Sequence, residues 1–337
     1  MTGALTWARL SFRQQRWELI LVALGVAATA AAMVYFASAL DGMRAASPDC
    51  IGVLDPNLVT ESGPPVACQA ILTAYNDAQN WGSQLVNLVW AAPFGMGVLL
   101  GAPLVAREID GGTAQLAWSL SRSRVSWLLR RIAFVTLFGL SLLALLAVLS
   151  NMLTAAMMPD MTLSEDFTYF GRRDLPVVAR GVGAIMLGVL VGALIGRVLP
   201  AILASALVIG VAFAGVSLGM DQWNRSMATL VPRYNMVQQD TAALGVEYGI
   251  QTADGQFMSY DEAYASGLTL NLGDENGKWY ASEDDFKAGH SVGQDTMLVI
   301  AGEWYPALML RDSSVAVVLG LVALAGTALV VTRRRPT

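Results

Sequence analysis

The clearest pattern in the chain is a series of six long apolar stretches separated by polar segments. Each stretch has about 20 residues or more, enough for an α-helix to cross about 30 Å of hydrocarbon. Because lipid offers no hydrogen bonds to a peptide group, such stretches must be helical in a bilayer. They cover residues 19–40, 85–106, 132–158, 177–196, 198–220 and 313–331. The pattern predicts an α-helical polytopic membrane protein with six transmembrane helices.

The distribution of charge predicts how these helices are oriented. Twelve of the 21 basic residues lie before the first span, between the second and third, between the fourth and fifth, or after the sixth. Only three acidic residues accompany them, whereas the other polar segments hold eight basic and 23 acidic residues, and the remaining basic residue, Arg180, lies near the start of the fourth stretch. Because arginine-rich short loops stay in the cytoplasm, both termini are expected inside and the acidic segments outside. The net charge of −5 therefore reflects the outer segments, and no surface suited to nucleic acid is indicated.

The N-terminal region allows two interpretations. Ala37-Ser38-Ala39 resembles a signal-peptidase site that follows a basic start and an apolar run. That run has 22 residues, which is longer than the ~7–15 residues of a signal sequence and favours a retained membrane anchor. Residues 4–17, which precede it, are predicted to form a short helix on the membrane surface with three arginines on one face.

The first outer segment, residues 41–84, is rich in Pro, Gly, Asn and Asp and is predicted to consist mostly of turns. It holds the two cysteines of the chain, Cys50 and Cys68. A pair confined to one non-cytoplasmic loop suggests a disulfide, and two free thiols are the alternative. Two cysteines and one histidine argue against a structural zinc site.

The segment before the last span, residues 221–312, is long enough for a small α+β domain on the outer side. Turn signals predict a hairpin between residues 250–252 and 257–259, and a second turn at 273–277. An acidic run, Glu283 to Asp285, could bind a cation, but a solvated face explains it better. A shorter acidic segment, residues 159–176, is also expected outside.

Glycine and proline recur inside the spans. Small residues at intervals of four allow helix backbones to approach closely, which predicts packing seams in the second and fourth spans. Prolines there and at the start of the fifth span predict bends. The glycines are Gly97, Gly101, Gly188, Gly192 and Gly196, and the prolines are Pro93, Pro103 and Pro200.

Several kinds of catalytic chemistry are missing from the sequence. It contains no G-x-x-x-x-G-K-[ST] phosphate loop, no H-E-x-x-H and no G-x-S-x-G. The spans also lack the paired carboxylates expected of an ion-coupled transporter. We therefore predict no catalytic residue, no metal site and no cofactor in this chain, so that any transport must be driven by a partner.

The segment between the second and third spans, residues 107–126, combines an acid pair, a double glycine and an amphipathic stretch. Taken alone, it could be a plain connecting loop. However, Ala106-Arg107-Glu108-Ile109, then Gly112-Thr113-Ala114-Gln115, then Arg124 with Trp127 resembles the ABC-2 type transporter permeases. The resemblance is greatest to actinobacterial members whose ATPase is a separate chain.

This resemblance implies a role for the segment and a set of partners. In that family the loop after the second span forms a coupling helix that docks into the ATPase. Two permease copies, expected as a homodimer in the plasma membrane, would contact two ATPase copies that bind ATP and Mg. The complex would export an amphipathic drug, antibiotic, peptide or lipid, and a receptor that binds a ligand without transport is the alternative. The implied coupling residues are Arg107, Glu108, Gly111, Gly112, Thr113, Leu116, Trp118 and Leu120.

Overall fold

Six helices in the described part of the chain are long and apolar enough to cross a membrane, which agrees with a polytopic helical membrane protein. The computed structural model describes residues 2–51, 65–113, 123–232, 243–252, 254–266, 277–280 and 283–333. Side chains are described from Gln15 onward, apart from that of Glu283.

The helices and strands follow one another in a simple order. The first span is α1 (Thr2–Ala46), and the second consists of α2 (Val66–Met96), a π-helical turn (Gly97–Gly101) and α3 (Ala102–Asp110). The third, fourth and fifth spans are α4 (Arg124–Met157), α5 (Asp174–Ile195) and α6 (Val198–Met227). The next elements are β1 (Thr229–Pro232), β2 (Leu244–Thr252), β3 (Phe257–Ser259), α7 (Tyr260–Ala265), β4 (Lys278–Trp279), α8 (Glu283–Ala288) and β5 (Gly293–Ile300). A 3-10 turn (Gly302–Trp304) leads into α9 (Tyr305–Arg333), the sixth span.

The expected surface helix at residues 4–17 is part of α1. The helix begins at Thr2 and breaks at Gln15, whose backbone angles (φ −119°, ψ 21°) are not helical. The span itself runs from Gln15 to Ala46. A kink therefore separates the basic N-terminal turns from the span, close to where the sequence placed the boundary.

The prediction that residues 41–84 are mostly turns is wrong for most of that segment. The first helix continues to Ala46, and α2 begins at Val66, far ahead of the apolar stretch that starts at residue 85. The extra turns of α2 are amphipathic, and Tyr75, Ala78 and Gly82 are buried on one face. Residues at intervals of three and four line one side of a helix, so packing stabilises a segment whose mean hydropathy is too low to mark a span.

The predicted disulfide is present. Cys50 and Cys68 are bonded, with their Cα atoms 5.5 Å apart. The bond ties the chain that follows α1 to the first turn of α2. In a chain-entropy account, a loop of this length contributes roughly 3 kcal/mol of stability.

The second span contains an irregular turn between its two prolines. Pro93 lies inside α2, and Pro103 lies at the start of α3. In the π-helical turn that joins them, the N–H of Ala102 donates to the carbonyl of Gly97, five residues earlier. Since Pro103 has no N–H to donate, a wider turn ahead of it reorganises the hydrogen bonds that a regular helix would lose.

The fourth span lies at the centre of the membrane unit, which comprises residues 1–160, 171–213 and 309–337. Of its most apolar window, 67% is buried, against 22% for the first and fifth spans. The second and third spans pack against it, and its glycines provide the close contacts described below. The first, fifth and sixth spans thus keep broad apolar faces exposed.

A second compact unit, the sheet unit, comprises residues 161–170 and 214–308 and so includes nearly all of the outer segment at residues 221–312. Its antiparallel strands follow the order β1-β5-β2-β3, and β4 also pairs with β5. The predicted hairpin is confirmed, because Ile250 of β2 lies opposite Met258 of β3. Ser259 then caps α7, and its side chain accepts a hydrogen bond from the N–H of Glu262.

The sequence also indicates a second turn at residues 273–277 and an acidic run from Glu283 to Asp285 in this unit. Most of the second predicted turn, residues 273–276, lies outside the described residues, and Gly277 has the positive φ (71°) expected of a turn glycine. The acidic run begins α8. Among the described residues, no group of three or more histidine, cysteine or acidic side chains could hold a metal ion.

Candidate coupling site

The residues implied in coupling fall into a described and an undescribed part. Arg107 and Glu108 lie in the last turn of α3, and Gly111, Gly112 and Thr113 follow directly. Leu116, Trp118 and Leu120 lie outside the described residues, which resume at Ser123. There the Ser123 side chain caps α4 by accepting a hydrogen bond from the N–H of Ser126 at 3.0 Å.

The double glycine ends α3. The N–H of Gly111 donates to the carbonyl of Arg107 at 2.9 Å, and that of Gly112 donates to the carbonyl of Ile109 at 3.2 Å. Gly112 has a φ of +68°, in the left-handed region that residues with a Cβ rarely adopt. The chain can therefore leave the helix abruptly and begin the loop.

Glu108 lies inside the helix bundle. Its carboxylate forms an ion pair with Arg131 of α4, and both side chains are only 7% exposed. The hydroxyl of Thr113 donates to the same carboxylate at 2.8 Å. Arg131 in turn lies over the ring of Trp127, 5.6 Å from its centre. Glu108 is therefore bonded both to the third span and to the residue that begins the loop.

Two further polar contacts tie the end of the second span to other spans. Arg107 forms an ion pair with Glu18 of α1. The carboxylate of Asp110 accepts a hydrogen bond from the N–H of Val198, the first residue of α6, at 3.3 Å. The base of the loop is thus bonded to the first, third and fifth spans.

The sixth span reaches the same end of the bundle. Nη1 of Arg124, at the start of α4, donates to the carbonyls of Val331 and Thr332 at 3.3 Å. The arginines of these segments predicted that they lie on one side of the membrane, and the contacts bring the same segments together. The ion pairs of Glu18 and Arg131 were not predicted, although both are charged residues at the edge of an apolar run, where an ionic partner is expected.

At the opposite end of the bundle, Arg44 joins the first three spans. It donates to the hydroxyl of Tyr75 at 2.8 Å and to the carbonyl of Ala156 at 2.6 Å. Arg44 follows the apolar run of α1, Tyr75 precedes that of α2, and Ala156 lies in the last turn of α4. The ends of successive spans therefore alternate between the two ends of the bundle.

Glycines of the second and fourth spans form a close helix contact. A Cβ at Gly188 would lie 2.1 Å from the carbonyl oxygen of Gly97, and one at Gly101 would lie 2.5 Å from that of Ile185. A Cβ at Gly192 would lie 2.2 Å from the carbonyl oxygen of Ala102. Gly196 has a different role, since it ends α5 in the left-handed conformation with a φ of 68°. The seam crosses the π-helical turn directly above the coupling residues.

Aromatic side chains connect the second and fifth spans. Phe94 of α2 lies edge-on to Phe213 of α6, with ring centres 5.1 Å apart, and Trp90 lies 4.9 Å from Phe94. Trp90 is 49% exposed. The group therefore lines an outward face of the membrane unit.

Comparison with known proteins agrees with this arrangement. The sequence model of a family described as ABC-2 membrane transporter related matches residues 19–225, which include the first five spans and the whole segment at residues 107–126. The chain belongs to the ABC-2 membrane transporter related family. This makes it a multi-pass membrane protein of a family that provides the permease subunits of ABC transporters. No curated protein and no solved structure shows significant similarity to the chain.

Proposed function

We propose that this ABC-2 family member is the permease subunit of an ABC exporter. It would couple ATP hydrolysis by a separate ATPase chain to the export of an amphipathic drug, antibiotic, peptide or lipid. The observation that carries the proposal is the family match, which covers the first five membrane spans and the loop at residues 107–126. ATP and Mg would be bound by the partner, because the sequence has no phosphate loop.

The polar contacts at the base of the loop support a mechanism of coupling. A force applied by the ATPase to residues 111–122 would reach α3 first. From there the Glu108–Arg131 pair would pass it to the third span, and Asp110 would pass it to the fifth. Glu108 is thus a positioning residue, and the surface that grips the ATPase would be formed by Leu116, Trp118 and Leu120.

The orientation follows from the same proposal. The coupling end of the bundle must face the cytoplasm, where ATP is available. Both termini would then be cytoplasmic, as the positive-inside rule also predicts. The sheet unit would lie outside, in the oxidising environment that the Cys50–Cys68 disulfide requires.

A second permease copy would pack against the fifth span. Ala206, Gly210 and Ala214 recur there at intervals of four and are exposed, and a Cβ at Gly210 would meet nothing within 4 Å. Small residues at this spacing suit a close helix–helix contact in lipid. The substrate path would run along the same face, beside Trp90 and Phe94.

The test is to uncouple the loop without disturbing the spans. When the chain is co-expressed with its ATPase, Leu116→Asp should insert normally, yet substrate-stimulated ATP hydrolysis by the complex should fall at least about tenfold. A charge in an apolar contact costs more than the ~1.4 kcal/mol that this factor represents. Thr332→Asp is the matched control, because it adds the same charge at the same end of the bundle outside the loop. Unchanged stimulation in Leu116→Asp would contradict the proposal.

A further inference from the structure

A shallow groove opens between the ends of the fourth and sixth spans, at the end of the bundle that carries the coupling loop. Its volume is about 430 Å³, and it is lined by Leu194 of α5 and by Leu329, Val330 and Arg333 of α9. Leu194 and Leu329 are 57% and 56% exposed. The groove therefore faces outward, toward the lipid that surrounds the bundle.

The lining has two chemically distinct parts. Three aliphatic side chains form the walls, and a single guanidinium stands at the rim in the last turn of α9. An acyl chain fits aliphatic walls, and a guanidinium binds phosphate oxygens through paired hydrogen bonds. The arrangement matches a phospholipid that lies with its tail in the groove and its phosphate at the membrane boundary.

The charge around the groove favours an anionic headgroup. Arg124 donates to the carbonyls of Val331 and Thr332, so a second guanidinium lies beside the last turn of α9. Arg197 follows Leu194 by three residues in the sequence. A basic pocket between spans on the cytoplasmic side is the setting in which anionic lipids bind.

We propose that this groove is a binding site for a phospholipid with a net negative headgroup, drawn from the cytoplasmic leaflet. One acyl chain lies between Leu194 and Leu329, and the phosphate contacts Arg333. The proposal depends on the proposed function only for the orientation that places this end of the bundle in the cytoplasm. A lipid held between the fourth and sixth spans, at the end of the bundle that carries the loop, would stabilise the position of the sixth span.

The experiment is native mass spectrometry of the full chain, purified in detergent and titrated with phosphatidylglycerol or phosphatidylcholine. The wild-type chain should retain phosphatidylglycerol preferentially. Arg333→Gln should weaken phosphatidylglycerol binding about five-fold, because one basic group near a membrane surface contributes about that factor to the binding of a net anionic lipid. Phosphatidylcholine, whose phosphate charge is balanced by its choline, should lose less. Arg333→Lys keeps the charge and should retain most of the preference.

Arg16→Gln is the matched control, since it removes the same charge at the same end of the bundle but lies at the start of the first span. Its effect on lipid binding should be small. Leu329→Trp, which fills the groove, should reduce the retention of both lipids. Each of these variants alters an exposed position, so the fold of the bundle should be preserved.

Three results would overturn the proposal. The first is a wild-type chain with no preference for phosphatidylglycerol, and the second is an equal loss in Arg333→Gln and Arg16→Gln. The third is a change of oligomeric state in Leu329→Trp without loss of lipid, which would show that a second copy of the chain covers the groove. The measurement involves no ATPase, so its failure would leave the permease assignment standing.

Discussion

At the scale of single residues, the most consequential feature is the burial of Glu108 against Arg131. Two charges removed from water are stabilised by each other and by the hydroxyl of Thr113, which satisfies another lone pair of the carboxylate. Such a pair adds little net stability over an apolar pair. The loss of one partner, however, leaves the other charged and buried.

Single substitutions in this pair should therefore be costly, and the double substitution should cost less than their sum. We expect Glu108→Gln and Arg131→Met each to destabilise the folded chain by about 3–5 kcal/mol. The measurement is a double-mutant cycle by denaturant unfolding in detergent. Glu18→Gln is the control, because its pair with Arg107 is 23% and 40% exposed and its loss should cost less than about 1 kcal/mol. Additive effects of the two main substitutions, within about 0.5 kcal/mol, would contradict this account.

This pair also marks a limit of sequence reasoning. The sequence identified Glu108 from the family motif and Arg131 only as one of several arginines that set orientation. Their contact joins different helices, and 23 residues separate them. No local pattern encodes which of the neighbouring arginines, Arg130 or Arg131, turns inward. That choice depends on the rotation of α4 in the bundle, which follows from packing along its whole length.

At the scale of elements, the sequence of the second span predicts part of its structure, and packing against other helices determines the rest. Its prolines predict a bend, and the structure has a π-helical turn between them. Its glycines predict a close helix contact, and the fourth span packs against them. The start of α2 was not predicted, because the length of an apolar run matches the thickness of the bilayer rather than the full length of the helix. Residues 66–84 are helical through amphipathic packing, a weaker signal than hydrophobicity.

The glycine contact makes a sharp prediction for Gly188→Ala. The added Cβ would lie 2.1 Å from the carbonyl oxygen of Gly97, so a backbone must move. We expect a loss of about 1–3 kcal/mol in thermal or denaturant unfolding of the detergent-solubilised chain. Gly25→Ala is the control, because nothing lies within 4 Å of its new Cβ and alanine favours a helix by up to about 1 kcal/mol. Equal stability of the two variants would show that the seam is looser than described.

At the scale of the whole molecule, the spans alternate between two ends whose contacts differ in kind. One end holds the disulfide and the Arg44 contacts, and the other holds the ion pairs and hydrogen bonds around the loop that follows α3. The apolar stretches and the charges of the segments between them predicted this alternation, since both are properties of whole segments rather than of single residues. The sheet unit was harder to predict, because strand pairing such as that of β1 with β5 joins residues far apart in sequence. The presence of a small α+β domain was predicted, but of its strand pairings only the local hairpin was.

Purification of the tagged full-length chain from its native membranes decides whether the chain is a permease driven by a separate ATPase. An ABC ATPase with a phosphate-loop motif should copurify in equal amount with the chain, and the complex should hydrolyse ATP. Loss of that ATPase when Leu116→Asp replaces the wild-type chain would assign the contact to the loop. A purified chain that carries no nucleotide-binding protein in stoichiometric amount would contradict the claim.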